Sequence, residues 1–86
     1  MDKIELLNDQ INHFKEFKNH MDLRTETLMK IKIDKTLSDL GFDDGRVTLK
    51  DVLHFRGIHK KNLRWDISND KGEITFEVLQ NIRDSK

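Results

Sequence analysis

The sequence predicts an α+β fold: two N-terminal helices, a short third helix and a C-terminal β-hairpin around one small core. Three observations carry that expectation. The first 40 residues hold neither glycine nor proline, and their apolar residues recur at steps of three and four. Residues 48–56 carry a start signal at one end and Gly57 at the other. Residues 63–78 alternate apolar and polar side chains about a glycine-containing turn.

The first helix is expected over about residues 2–21. Ile4, Leu7, Ile11 and Phe14 form its apolar stripe, widened by Leu6 and Phe17, and Asp2 stands where an N-cap or first-turn acid belongs. Asp22-Leu23-Arg24-Thr25 breaks the pattern, and either Asp22 or Thr25 can cap the next helix. That second helix is expected over about 25–40, with Met29, Ile33, Leu37 and Leu40 on one face. The alternation Met29 to Ile33 also suits a strand, so helix throughout 25–40 is left open. Gly41 followed by Phe42 gives the second helix a Schellman ending, with Phe42 packing back on Leu37.

The third helix has a capping pair in Thr48 and Asp51 and a hydrophobic staple in Val47 and Val52. The hairpin is expected over about 63–78. Leu63, Trp65 and Ile67 form one strand, Ser68 to Gly72 the turn, and Ile74, Phe76 and Val78 the return. Val78, Leu79 and Ile82 allow one last helical turn.

Composition bounds the function. A chain of 86 residues fits a single domain, and one this small buries only about 60–65% of its unfolded surface. Little structure is left over for a deep substrate pocket, so the protein is expected not to be an enzyme. With no cysteine there is no disulfide framework, thiolate nucleophile or cysteine-ligated zinc. The longest apolar runs are pairs such as Leu6-Leu7, which argues against a membrane span or signal peptide and makes a cytoplasmic protein the expectation. The chain lacks alanine, proline and tyrosine and is rich in lysine, isoleucine and aspartate, a bias that AT-rich coding produces. Low-GC bacteria, their phages and mobile elements fit that bias.

Reactive constellations are sparse. Asn69 to Glu77 resembles the centre of an EF-hand calcium loop, and Asp44 to Thr48 is similar to it 27 residues earlier. Registered on Gly72, however, Ile67, Lys71 and Val78 fall at loop positions one, five and twelve, where calcium needs oxygen ligands. His13 and His20 lie seven apart, too far for one metal, and His54 and His59 have no standard ligand spacing. Serines occur only at 38, 68 and 85, outside any nucleophile motif. No metal, cofactor or catalytic residue is therefore expected.

Contact with another macromolecule remains. Formal charge is zero, 16 bases against 16 acids, but it is segregated along the chain. From His54 to Trp65 there are four cations and no acid, which leaves 12 bases against 16 acids elsewhere. Arg56, His59, Lys60, Lys61 and Arg64 are the candidate binding residues for an acidic protein surface or for nucleic acid. A capped helix, a glycine turn, a basic stretch and a hairpin over 47–78 resemble a winged helix-turn-helix unit in outline. Leu53 stands where that pattern has a small residue, and too few residues follow Gly57 for a recognition helix. Ile4, Leu7, Ile11 and Phe14 match a short coiled-coil seam, a candidate face for a homodimer or a partner helix. The leading expectation is a small regulatory or inhibitory protein of phage or mobile-element type that acts by protein contact. A DNA- or RNA-binding regulator and a homo-oligomeric assembly subunit are the alternatives.

Overall fold

The computed structural model describes residues 2–86. Four helices and one antiparallel hairpin follow in the order α1 (Lys3–Phe17), α2 (Leu23–Asp39), α3 (Leu49–Phe55), β1 (Ile58–Lys61), β2 (Arg64–Ile67) and α4 (Phe76–Asp84). The α+β class is as the sequence predicts, and the segment 25–40 is helical up to Asp39.

The helix ends follow local chemistry. Asp2 caps α1 by accepting from the Ile4 amide at 2.8 Å. Asp22 caps α2 through the Thr25 amide at 2.8 Å, so the second helix starts two residues before the expected boundary. Its far end is a Schellman motif: the amides of Phe42 and Gly41 donate to Leu37 and Ser38, and Gly41 stands at φ +93°. Thr48 and Asp51 form the full capping box of α3, with Val47 and Val52 both buried beside it.

The hairpin lies elsewhere than expected. Its strands are 58–61 and 64–67, with Ile58 opposite Ile67, His59 opposite Asp66, Lys60 opposite Trp65 and Lys61 opposite Arg64. The turn is Asn62-Leu63, with Asn62 at φ +55°, a conformation asparagine tolerates. The expected return strand 74–78 is instead the start of α4. Thr75 caps that helix by accepting from the Val78 amide at 3.1 Å, and Ile74 and Leu79, at N′ and N4, are both buried as a hydrophobic staple. With β1 beginning directly after Gly57, no second helix of a helix-turn-helix follows α3.

The core joins α1, α2, α3, the hairpin and α4 through Leu7, Ile11, Phe14, Ile33, Leu37, Val52, Trp65 and Leu79. Phe14 meets Trp65 edge-on at 5.2 Å between ring centres. The stripe read as a possible dimer or partner face is therefore internal: Leu7, Ile11 and Phe14 are 0% exposed and Ile4 is partly buried against the same core. A seam already filled by the chain's own hairpin and helices is not free for a second copy.

The loop after β2 is tied down by two devices. Asn8 of α1 donates to the Ile74 carbonyl and accepts from the Ile74 amide, both at 2.7 Å, standing in for the missing strand partner. Asp70 accepts from Lys15 Nζ at 2.6 Å, from Arg56 Nε at 3.3 Å and from the Gly72 amide at 2.9 Å. At the hairpin base Ser68 N donates to Gly57 O at 2.6 Å, and a Cβ at Gly57 would fall on the Ser68 carbonyl oxygen. Among the described residues no helix is long and apolar enough to cross a membrane.

Candidate functional site

A groove of about 500 Å³ lies between α2, α3 and the hairpin. Its floor is apolar, made by Leu49, Leu53, Ile58 and Trp65. Its rim is cationic: Lys30 from α2, Lys50 from α3 and Lys60 from β1, with His54 and His59 beside them. Among the described residues no carboxylate lines it.

Trp65 organises this wall. Its indole nitrogen donates to Glu26 Oε1 of α2 at 2.9 Å and its amide donates to Asn19 Oδ1 of the α1–α2 turn at 3.0 Å, so both polar groups are satisfied. The ammonium groups of Lys30 and Lys60 lie 4.9 and 5.4 Å from the centre of its ring. Glu26 is buried behind it, and Lys30 donates to Glu26 at 3.3 Å one helical turn away. Burial opposes the ionised form of Glu26, but hydrogen bonds from Trp65 and Lys30 and the charges of Lys30 and Lys60 outweigh it. Its carboxyl group is held below the ordinary range. One acid thus partly offsets two lysines from beneath, while Lys50 and Lys60 make no ion pair among the described residues.

The residues expected to bind a partner separate into three groups. Lys60 and His59 line the groove, with the His59 ring 5.0 Å from that of His54. Lys61 and Arg64 are exposed at the hairpin tip, directly opposite one another across the two strands. Arg56 does not belong to the surface at all. It is 4% exposed, donates to Asp70 and, at 2.7 Å, to Asn12 Oδ1, and fastens the post-hairpin loop to α1. A cation at a helix C-cap beside a turn reads in sequence as surface charge, and only the fold shows it turned inward.

Lys30, Lys50 and His54 are groove residues that sequence reading passed over, since two of them lie outside the basic stretch. The Glu26–Lys30 spacing of four was the visible signal that a helix pair sits there, but not that it faces Trp65.

Metal chemistry finds no framework. Among the described residues no three His, Cys, Asp or Glu side chains converge on a point that could hold an ion. In the EF-hand-like stretch the Asp70 carboxylate is engaged by Lys15 and Arg56, the protein's own cations. Among the described residues no serine hydroxyl hydrogen-bonds a histidine; that of Ser85 donates to the Ile82 carbonyl.

No family model matches the chain, and no match was found among curated proteins or solved structures.

Proposed function

We propose that this protein is a small non-enzymatic regulator that acts by contact, taking an acidic segment of a partner protein in the groove between α2, α3 and the hairpin. The observation that supports this most is the pairing of an apolar floor with a rim of three lysines, two histidines and no acid. An apolar side chain flanked by carboxylates fits that chemistry: the anchor fills the floor, and the acids meet Lys30, Lys50 and Lys60. A strongly polyanionic ligand without apolar groups would leave the floor unused.

Selection of peptides by the full chain from a displayed random library tests this. Enriched sequences should pair an aliphatic or aromatic residue with nearby Asp or Glu, and Lys50→Glu/Lys60→Glu should abolish the enrichment. Selection that yields no acidic bias, or that is indifferent to the double charge reversal, would remove the proposal.

A second reading, a DNA- or RNA-binding regulator, draws support from one feature. The chain passes from α3 through Gly57 straight into a cationic hairpin, which places Lys50 and His54 of the helix beside Lys60 of the strand. Phosphate contacts along that wall make binding fall steeply with salt.

A further inference from the structure

The hairpin tip carries features that neither the fold nor the groove requires. Leu63 is 94% exposed, more than any other large hydrophobic residue of the described chain. A turn position in solvent gains nothing from leucine, whose burial elsewhere would stabilise the fold. Lys61 and Arg64 flank it as register partners, so two like charges face each other across the antiparallel pair. Such opposition destabilises a hairpin unless an anion bridges it. Neither makes an ion pair among the described residues, and neither does Lys60 next to them. The nearest acid on the hairpin is Asp66, opposite His59 at the next pair but one from the turn.

The base beneath this tip is fixed. Gly57 and Ser68 are joined at its foot, and Trp65 is held through its amide to Asn19 and through its indole to Glu26. An exposed apolar residue on a rigid, convex, cationic projection suits insertion into a groove with anionic edges.

We infer that the β1–β2 tip is a wedge for duplex DNA, with Lys61 and Arg64 each taking a backbone phosphate and Leu63 entering the minor groove against the base edges. Minor-groove proteins combine cations with an apolar wedge in this way. The deep, narrow major groove and shallow minor groove of duplex RNA offer the tip a poorer fit. This surface is distinct from the groove floor, and the inference does not rest on the peptide reading.

Fluorescence anisotropy of the full chain on a short mixed-sequence DNA duplex, across a salt series, tests it. With Lys61 and Arg64 engaged, affinity should fall about 12-fold between about 50 and 200 mM salt. Lys61→Gln/Arg64→Gln should weaken binding and flatten the logarithmic salt slope by about 2. Leu63→Ser should weaken binding about tenfold and leave that slope unchanged, because it removes apolar contact only. Both variants should melt with the wild type, the double variant slightly above it, since the opposed charges are gone. The inference is overturned if wild type does not bind DNA at low ionic strength, or if Leu63→Ser binds as tightly as wild type. It is equally overturned if poly-glutamate binds with the same salt slope and the same dependence on Leu63, which would assign the tip to acidic proteins. Loss of the DNA result leaves peptide selection by the groove intact, and the converse also holds.

Discussion

Two polar residues, Asp70 and Asn8, hold the loop between β2 and α4 against α1. Lys15 donating to Asp70, the Gly72 amide and the Arg56 charge bring its carboxyl from the ordinary 3.8 down to about 2. A depressed carboxyl pKa means the ionised form is favoured by folding, so its contribution is complete above about pH 4 and disappears as pH falls through about 2. With a quarter of the side chain in water, that contribution is discounted to about 1–2 kcal/mol. Asp70→Asn should therefore lower unfolding free energy by about that amount at neutral pH. In urea titrations at successive pH values, the gap to wild type should close between about pH 4 and about pH 2; a gap independent of pH would contradict the ion-pair account. Asn8 acts differently, since no charge is involved. Asn8→Ala leaves the buried amide and carbonyl of Ile74 without partners, at a cost of about 1–3 kcal/mol for each unsatisfied group. Hydrogen exchange at the Ile74 amide should accelerate in that variant before the core amides of α1 respond. Arg56 completes the cluster, and its Nη1 is buried with no hydrogen-bond partner among the described residues. That makes it a clasp held by two of its three nitrogens.

At the scale of elements, the helix starts were legible because capping is local. The signature Val47-Thr48 with Val52 recurs as Ile74-Thr75 with Leu79, and both copies begin a helix. The likeness between the Asp44 and Asn69 segments is thus shared helix-start chemistry, with an aspartate ahead of each accepting a backbone amide two residues on. The second copy was masked because Ile74, Phe76 and Val78 also alternate, and period two competes with a cap over so short a window. Thr75→Ala separates the two readings. As an N-cap, Thr75 should contribute about 1 kcal/mol, and its loss should speed amide exchange at the start of α4; in a strand the change would be nearly silent. The true hairpin was hidden for a complementary reason. Its turn, Asn62-Leu63, lacks the glycine of a strong turn signal, and its first strand Ile58–Lys61 reads as a basic run. Leu63, taken as an inward strand residue by its phase with Trp65 and Ile67, is the turn itself. The candidate site shared this fate. Lys60 was found from local charge, whereas Lys30 reaches the same groove from α2 and Lys50 from the start of α3, outside the basic stretch. No window of sequence contains that convergence.

For the molecule as a whole, the question is which surface is free to meet a partner, and burial separates the α1 stripe from the α3–hairpin wall. Ile11 contacts the core from the middle of α1 and is fully buried, whereas Lys50 and Lys60 stand on the rim of an open groove. A chain of 86 residues has a total stability on the order of 4–13 kcal/mol. Ile11→Asp removes apolar packing and buries a charge with no counter-ion, a loss expected to exceed about 4 kcal/mol. It should unfold the protein, visible as loss of helical circular dichroism, with any change in mass following from unfolding. Lys50→Glu/Lys60→Glu changes two exposed side chains, of which Lys60 also gives up its place over the Trp65 ring, so its effect on the melt should stay within about 1–2 kcal/mol while partner binding is lost. Light scattering and circular dichroism on both variants decide between the surfaces. If Ile11→Asp gives a folded monomer from a wild-type dimer, the stripe is an interface and the core arrangement described above is wrong. If Ile11→Asp unfolds and the lysine variant stays folded but inert, contact belongs to the α3–hairpin wall. The physical reason is that in so small a core the α1 stripe is needed to hold the fold, so recognition falls to surface outside it, such as the lysine-rimmed groove.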